Sequence, residues 1–199
     1  MDTGKSRTVV ANISLSLDGR ICGPGGEYDM GWIVPHAISD EARAHMTRVT
    51  SAATTALLGR KNFQGFSGFW PAVAEDATAH PDDRAFSRWL DAVEKVVFST
   101  TLTEVTWNNA RLADADPATV VKRLRQQDGG DIIVLASTSV IQQLLGAGEV
   151  DQLSITLCPE IAGGGVRLFD DGLPGSSWEL IDTTGTSSSA ICLRYQRKA

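Results

Sequence analysis

Three short apolar runs in this chain each stop abruptly at small, hydroxylated or basic residues. Runs of this kind are typical of strands that are buried on both faces of a sheet. In such sheets ligands bind at the carboxyl ends of the strands, where backbone N–H groups of the following helices attract anions. The sequence therefore predicts a site for a phosphate-rich ligand. The runs end at Leu58, Phe98 and Leu135, and the residues that follow them are Gly59-Arg60, Ser99-Thr100 and Ala136-Ser137.

Strand and helix patterns alternate through the first three quarters of the chain. This alternation predicts an α/β fold with a mostly parallel sheet covered by helices on both faces, in a single domain over residues 1–199. The last two strands have no helix between them, so we expect an antiparallel hairpin around Gly185. We predict strands at residues 8–17, 54–58, 96–99, 131–135, 152–158, 178–183 and 190–197, a helix that begins after the N-cap Ser39, and helices at residues 82–93, 117–127 and 138–145.

The segment 65–81 carries aromatic residues and Pro71 among small residues. This composition is typical of irregular structure, so we predict an aromatic-rich loop that roofs a pocket. A flat heterocyclic substrate would stack on Phe69, Trp70 and Trp32. The alternative is that these side chains pack against the protein itself, which is the commoner fate of tryptophan.

Composition and charge exclude several classes of function. A net charge of −6 and a pI near 5.0 argue against a nucleic-acid surface, which needs a basic stripe. No apolar stretch approaches the roughly 20 residues of a membrane-spanning helix, and residues 1–7 lack the apolar core of a signal peptide, so we expect a cytoplasmic protein without membrane contact. Neither a disulfide framework nor a metal site is predicted, because the spacing of the cysteines and histidines fits neither. These residues are Cys22, Cys158, Cys192, His36, His45 and His80.

A series of short motifs follows one another along the chain. They are Ser14-Leu15-Ser16-Leu17-Asp18-Gly19-Arg20-Ile21, Leu58-Gly59-Arg60-Lys61-Asn62-Phe63, Phe69-Trp70-Pro71, Lys95-Val96-Val97-Phe98-Ser99, and the stretch 150–159 with Gly163 and Leu168-Phe169. Their order resembles the dihydrofolate-reductase-like superfamily, most closely the branch that includes the reductase domain of the bacterial riboflavin-biosynthesis deaminase/reductase. The resemblance implies a three-layer fold, NADPH as reductant, and hydride transfer to a planar pyrimidine- or pterin-like substrate, such as a riboflavin precursor. It also implies a homodimer.

The resemblance assigns parts of NADPH to the predicted strand ends. It places the adenosine-side phosphates on Gly59, Arg60, Lys61 and Asn62, the ribose 2′-phosphate on Ser99 and Thr100, the pyrophosphate on Ala136, Ser137, Thr138, Ser139 and Val140, and the nicotinamide on Ala11 and Ile21. The residues themselves favour NADP over NAD, because a guanidinium offers a planar fork for phosphate oxygens. A G-x-G-x-x-G turn after the first strand is absent. The alternatives are a local serine turn at Ser99 and a simple helix cap at residues 136–138.

Candidate catalytic residues are Asp40 and Glu41, because folate reductases place a substrate-binding carboxylate on the corresponding helix. The alternative is that both carboxylates only stabilise the positive end of the helix. Asp18 is a candidate substrate ligand, or simply a turn former. His45 and Thr156 complete the predicted substrate site, although a buried hydroxyl bonded to the backbone would explain Thr156 equally well.

The chain departs from the family pattern at three places. Ala136-Ser137-Thr138 stands where the family usually has adjacent glycines, which puts close approach of a pyrophosphate in doubt. Asn62 replaces a threonine, but its amide is expected to cap the helix that follows. The patterns G-x-x-T and D-x-P-x-L-x-x-R, which serve a ribityl-phosphate substrate, are missing after the second strand, and so is the zinc deaminase signature. Only reduction is therefore expected.

Two further hypotheses remain beside an NADPH-dependent reductase. The first is a dinucleotide- or ligand-binding protein on the same fold that has lost catalysis at the altered turn at residues 136–138. The second is a structural partner subunit that binds no nucleotide. In a reductase the cofactor would carry the hydride and water would supply the proton, because no side chain stands out as an acid.

Overall fold

The computed structural model describes residues 7–198, whose strands form one eight-stranded sheet. The order across the sheet is β4-β3-β2-β5-β1-β6-β8-β7, and β1 to β6 pair in parallel. β8 is antiparallel to both β6 and β7, which confirms the predicted terminal hairpin. The strands are β1 (Val9–Leu15), β2 (Ala53–Gly59), β3 (Glu94–Phe98), β4 (Ala110–Leu112), β5 (Asp131–Leu135), β6 (Gln152–Leu157), β7 (Trp178–Gly185) and β8 (Ile191–Arg197).

Helices cover the two faces of the sheet and bury a separate core on each. Since side chains alternate between the faces of a strand, Ala11 packs with α5 and α6, whereas Val10 packs on the side of α2, α3 and α4. This is the predicted α/β arrangement. A short 3-10 turn at Gly31–Ile33 precedes the first helix, and the helices are α1 (Val34–Ala37), α2 (Asp40–Thr50), α3 (Arg60–Glu75), α4 (Pro81–Ala92), α5 (Pro117–Leu124) and α6 (Thr138–Gly146).

The loop predicted at residues 65–81 is wrong, because most of that segment belongs to α3. Phe63, Phe66 and Trp70 recur at helical spacing and turn toward the core on this side of the sheet. Pro71 lies inside the helix, where its ring cannot donate a backbone hydrogen bond. Ser87 of α4 donates its hydroxyl to the neighbouring Trp70 carbonyl at 2.5 Å and so joins α3 to α4 at this point. The glycines and the proline of this segment favoured a loop in the sequence analysis, but tertiary packing stabilises a helix here.

Lys95 ends up in the protein interior although it is charged. Its side chain is fully buried, and Nζ donates to the carbonyls of Leu90, Asp91 and Val93 at 2.5, 3.2 and 2.9 Å. The ammonium also lies 4.7 Å from the centre of the Trp107 ring. Because Leu90 and Asp91 are in the last turn of α4, Lys95 closes the carboxyl end of that helix and fixes it to β3. Burial lowers the pKa of Lys95 to about 8.

Two short elements were not predicted from the sequence. They are α1 and the three-residue edge strand β4. Both are too short for a hydrophobic period to develop. The other boundaries agree to within about three residues, as is usual for element ends. The largest difference is at α5, which ends at Leu124, three residues before the predicted position.

Candidate functional site

The carboxyl ends of β3, β2 and β5 lie side by side, because these strands are consecutive in the sheet. Ser137, just after β5, accepts a hydrogen bond from the backbone N–H of Gly59 at 2.8 Å and donates its hydroxyl to the Leu135 carbonyl at 2.8 Å. After β3, Thr101 accepts a hydrogen bond from Arg60 at 2.8 Å. The three polar strand ends thus meet at one edge, which we call the strand-end edge.

Two helices begin at the strand-end edge, and neither has a side-chain cap at its amino end. α3 starts after Gly59 and α6 after Ser137, whose hydroxyl is engaged elsewhere. By contrast, Ser39, His80 and Asp116 cap α2, α4 and α5 through hydrogen bonds from backbone N–H groups. Uncapped N–H groups and the positive end of a helix dipole attract anions. The strand-end edge is therefore electropositive at two adjacent points.

Arg60 and Lys61 occupy the first turn of α3 and add positive charge there. Cations are unfavourable at this end of a helix, so their presence needs another reason, such as a bound anion. Asn62 also lies in this turn but caps nothing, since Gly59 holds the N-cap position. The predicted capping role of Asn62 is therefore wrong. Thr100, the predicted 2′-phosphate ligand after β3, is exposed beside this turn.

Ser99 makes a local turn of the kind weighed as the alternative to phosphate binding. Its hydroxyl oxygen accepts hydrogen bonds from the N–H groups of Thr101 at 3.1 Å and Leu102 at 2.9 Å. This bonding shapes the loop after β3 and leaves the hydroxyl proton for another acceptor. The role of Ser99 toward a phosphate remains a prediction.

The turn after β5 has Ala136, Ser137 and Thr138 in place of the family's adjacent glycines. Ala136 adopts a φ of 47°, a left-handed conformation that normally favours glycine, and its N–H donates to the Asn12 carbonyl at 2.9 Å. The buried hydroxyl of Ser137 joins β5 to β2, so this residue holds the edge together. Thr138 and Ser139 follow in the first turn of α6, where their side chains are partly or fully exposed.

Two residues predicted to contact the cofactor, Ala11 and Val140, are buried in this structure. Ala11 is fully enclosed in the core between β5 and β6, and no part of its side chain reaches the surface. Val140 is 1% exposed, and its N–H already donates to the Ser137 carbonyl. Their contact with a cofactor remains a prediction. Ile21 packs partly against the same core, and its N–H donates to the Val166 carbonyl at 2.9 Å.

Asp18 serves as a turn former that also fastens a second loop. Its carboxylate accepts hydrogen bonds from the hydroxyl of Ser16 and the N–H groups of Ala162 and Gly163, at 2.7, 2.9 and 3.1 Å. These bonds, with that from Ser16 the strongest, lower the pKa of Asp18 to about 2. The contacts account for the residue without a substrate.

The two acidic residues at the start of α2 are also engaged within the protein. Asp40 is 85% exposed and lies 3.7 Å from Arg43 and 3.5 Å from His80. Glu41 accepts hydrogen bonds from the N–H and hydroxyl of Ser187, in the turn between β7 and β8. Hydrogen bonds from its own backbone N–H and from Ser187 lower the pKa of Glu41. These contacts favour the structural interpretation of both carboxylates.

His45 is a buried residue of α2 and stands at one end of a short chain of polar side chains. Its Nε2 is 2.8 Å from the hydroxyl of Ser154, which in turn donates to the side-chain carbonyl of Asn12 at 3.0 Å. Because Ser154 gives its proton to Asn12, His45 must donate from Nε2, and its buried Nδ1 has no partner among the described residues. Burial lowers the pKa of His45 to about 4. Asn12 and Ser154 were missed, although a polar residue in each apolar strand was the available signal.

The predicted aromatic substrate residues do not form one wall. Trp70 makes edge-to-face contacts with Phe69 and Phe86, with ring centres 5.3 and 4.7 Å apart. Trp32 lies partly buried in the 3-10 turn that precedes α1. Thr156 is on β6, with its hydroxyl 3.9 Å from the thiol of Cys192. The packing alternative fits Trp70 best. The structure does not bring Trp32, Trp70 and Thr156 together.

Exposed apolar side chains surround the carboxyl end of the sheet. Most large ones lie in the segments that follow β1 and β6, where an apolar surface is typical of contact with a ligand or partner. These residues are Leu17, Tyr28, Met30, Val34, Ile38, Ile161, Val166 and Phe169. Cavities of about 210 and 270 Å³ lie elsewhere, lined respectively by residues that include Arg111 and Arg123 and by residues that include Pro71 and Arg88.

Comparison with known proteins confirms the resemblance seen in the sequence. Residues 7–192 match the family described as the RibD C-terminal domain. The uncharacterized protein YyaP of Bacillus subtilis (strain 168) is 25% identical over 191 residues, which cover 96% of this chain and 95% of that protein. No helix among residues 7–198 has the length and apolar character needed to cross a bilayer.

Solved structures share the fold at low sequence identity. A putative riboflavin biosynthesis protein from Shewanella sp. PV-4 superimposes with a TM-score of 0.69 at 22% identity, covering 96% of this chain and 99% of that one. Dihydrofolate reductase from Enterococcus faecalis, in complex with NADP(H), superimposes with a TM-score of 0.61 at 14% identity, covering 96% and 97%. The dihydrofolate-reductase-like fold is thus confirmed.

Proposed function

Because the chain belongs to the RibD C-terminal domain family, we propose that it is an NADPH-dependent reductase that transfers a hydride to a planar, pyrimidine- or pterin-like substrate. The observation that carries the proposal is the pair of uncapped helix ends at the strand-end edge, joined through the Ser137 hydroxyl and the Gly59 N–H. Two adjacent anion sites suit a ligand with several phosphate groups.

The charge at the edge supports NADPH over NADH. Arg60 donates to the neutral hydroxyl of Thr101, so its guanidinium is not neutralised by that contact. A partly free guanidinium next to hydroxyl groups suits the dianionic 2′-phosphate that distinguishes NADPH from NADH. We propose that Arg60, Lys61, Ser99 and Thr100 hold the adenosine end and that the first turn of α6 holds the pyrophosphate.

Bound NADPH would supply the hydride, and the chain would supply position and a dry surface. Asp18 and Glu41 already accept hydrogen bonds within the protein, and His45 is enclosed. None of them is free to act as an acid, so we propose that water supplies the proton. The apolar side chains around the edge would then shield the reacting atoms.

The proposal is tested by measuring the affinity of the purified protein for NADPH and for NADH. Energy transfer from tryptophan to the nicotinamide reports the binding. Arg60→Ala should weaken NADPH binding by about 10- to 100-fold, the value of a charge-assisted hydrogen bond, and leave NADH almost unchanged. Lys122→Gln, which removes a charge on α5 far from the edge, should change neither. Equal loss for both nucleotides in Arg60→Ala would refute the assignment.

A dinucleotide-binding protein without catalysis is the second candidate, favoured by the left-handed Ala136 in place of glycine. Oxidation of NADPH in the presence of pterin, pyrimidine and quinone acceptors separates the two. Tight binding of NADPH without oxidation by any of these compounds would select the second candidate.

We also propose a homodimer that forms through the C-terminal hairpin. Leu180 and Ile181 on β7 and Ile191 on β8 are between 41% and 47% exposed, and β7 is an edge strand. An apolar edge of this kind is usually covered in the assembled protein. Sedimentation should give twice the mass of one chain, and Leu180→Lys should give a folded monomer. A wild-type monomer at micromolar concentration would refute the dimer.

A further inference from the structure

Glu27 and Lys61 form an ion pair at the first turn of α3, the helix that begins at the strand-end edge. Glu27 belongs to the loop that follows β1, and Lys61 is the second residue of α3. The two charged groups are in direct contact although they are 34 residues apart in the sequence. Both side chains are about half exposed, so a soluble anion can reach the same place.

Glu27 provides a negative charge that the first turn of α3 lacks. The first turns of α2 and α4 each contain two acidic residues, and α5 has Asp116 as its N-cap. The first turn of α3 has no acid and no side-chain cap, and it carries two cations instead. A carboxylate near such a helix end is stabilised by both the dipole and the cations. Glu27 is the carboxylate that pairs with one of these two cations.

The loop that carries Glu27 keeps its shape by its own hydrogen bonds. The N–H of Gly23 donates to the Asp29 carbonyl at 2.8 Å, and the N–H of Gly25 donates to the Asp29 carboxylate at 3.0 Å. The N–H of Asp29 in turn donates to the Gly26 carbonyl at 3.0 Å. None of these bonds involves Glu27, so its carboxylate can leave Lys61 without opening the loop.

We propose that Glu27 is an internal competitor of the cofactor's phosphate for Lys61 and the amino end of α3. This inference rests on the proposed function, since it takes the anion at this place to be the adenosine-side phosphate. Binding of the phosphate displaces the carboxylate, and by reciprocity the carboxylate weakens binding of the phosphate. Glu27 thus lowers cofactor affinity, while the loop that carries it keeps its own hydrogen bonds.

The test is calorimetric titration with adenosine 2′,5′-bisphosphate at low ionic strength. Glu27→Gln should bind this probe about two- to five-fold more tightly than the wild type, the range expected for an exposed ion pair. Lys61→Met should bind it more weakly, and adding Glu27→Gln to Lys61→Met should change nothing further. Glu75→Gln, with the same change of charge at the far end of α3, is the matched control.

Each outcome supports or overturns the inference. Tighter binding by Glu27→Gln that disappears without Lys61 supports it, as does binding by Glu27→Gln alone when the wild type does not bind. Equal or weaker binding by Glu27→Gln overturns this inference and leaves the proposed function standing. Tighter binding by Glu75→Gln to the same extent also overturns it, because the effect would then be one of net charge. Absence of binding in all the proteins overturns both proposals.

Discussion

Removing the hydroxyl of Ser137 tests whether the two strand ends depend on a single side chain. Ser137 is 2% exposed, and its hydroxyl makes two hydrogen bonds, one from the Gly59 N–H and one to the Leu135 carbonyl. Ser137→Ala loses both and leaves the Gly59 N–H without this acceptor. Because the Gly59 N–H is only partly buried, leaving it unsatisfied should cost about 1–2 kcal/mol, and the lost hydrogen bond to Leu135 adds about 1 kcal/mol, so we expect a total loss of about 2–3 kcal/mol.

Chemical denaturation and calorimetry measure this loss. For a chain of this length, about 2–3 kcal/mol corresponds to a fall in Tm of about 4–12 °C. The denaturation midpoint should fall without a change in slope, because the core stays intact. Ser139→Ala, at an exposed position of α6 two residues after Ser137, should stay within about 0.5 kcal/mol of the wild type. A loss below that value in Ser137→Ala would show that the edge does not depend on this hydroxyl.

Three further predictions concern stability. Lys95→Met removes three hydrogen bonds at the end of α4 and should lower the free energy of unfolding by about 2–4 kcal/mol in guanidinium melts. A change below about 1 kcal/mol, the value of one ordinary hydrogen bond, would contradict the role assigned to its ammonium. His45 has a pKa of about 4 in the folded state against 6.5 as the reference value, so the unfolded state binds more protons between these values. The unfolding free energy should therefore fall by up to about 3 kcal/mol as pH drops from 6.5 to 4, and His45→Gln should remove that part of the slope. Ala136→Gly relieves a left-handed alanine and should stabilise the protein by about 0.5–1 kcal/mol, whereas destabilisation in the same melts would show that the conformation is not strained.

The sequence was most informative where one residue type has one structural consequence. Buried runs that end at Gly59 and Ala136 predicted parallel strands with a shared polar edge, and the sheet order confirms it. The hairpin around Gly185 was predictable for the same reason, since the chain offers no helix between its strands.

What the sequence could not provide depends on contacts between distant segments. Lys95 looked like the polar start of a strand, and only the carbonyls at the end of α4 explain its burial. Asp18 was a candidate substrate ligand and Glu41 a candidate catalytic residue, and their hydrogen-bond partners in later loops were not visible in the sequence. The helical spacing of Phe63, Phe66 and Trp70 was visible, but the glycines and Pro71 between and after them outweighed it.

The position of β8 has a consequence for how the polypeptide acquires its structure during synthesis. β8 follows every other strand along the chain, yet it lies between β6 and β7 in the sheet. Until the ribosome has released residues 191–197, β6 lacks a partner strand on one side and β7 has no strand to pair with. Emerging chains should therefore hold a sheet with unpaired strands until residues 191–197 have been synthesised, which makes interruption before that point a route to aggregation.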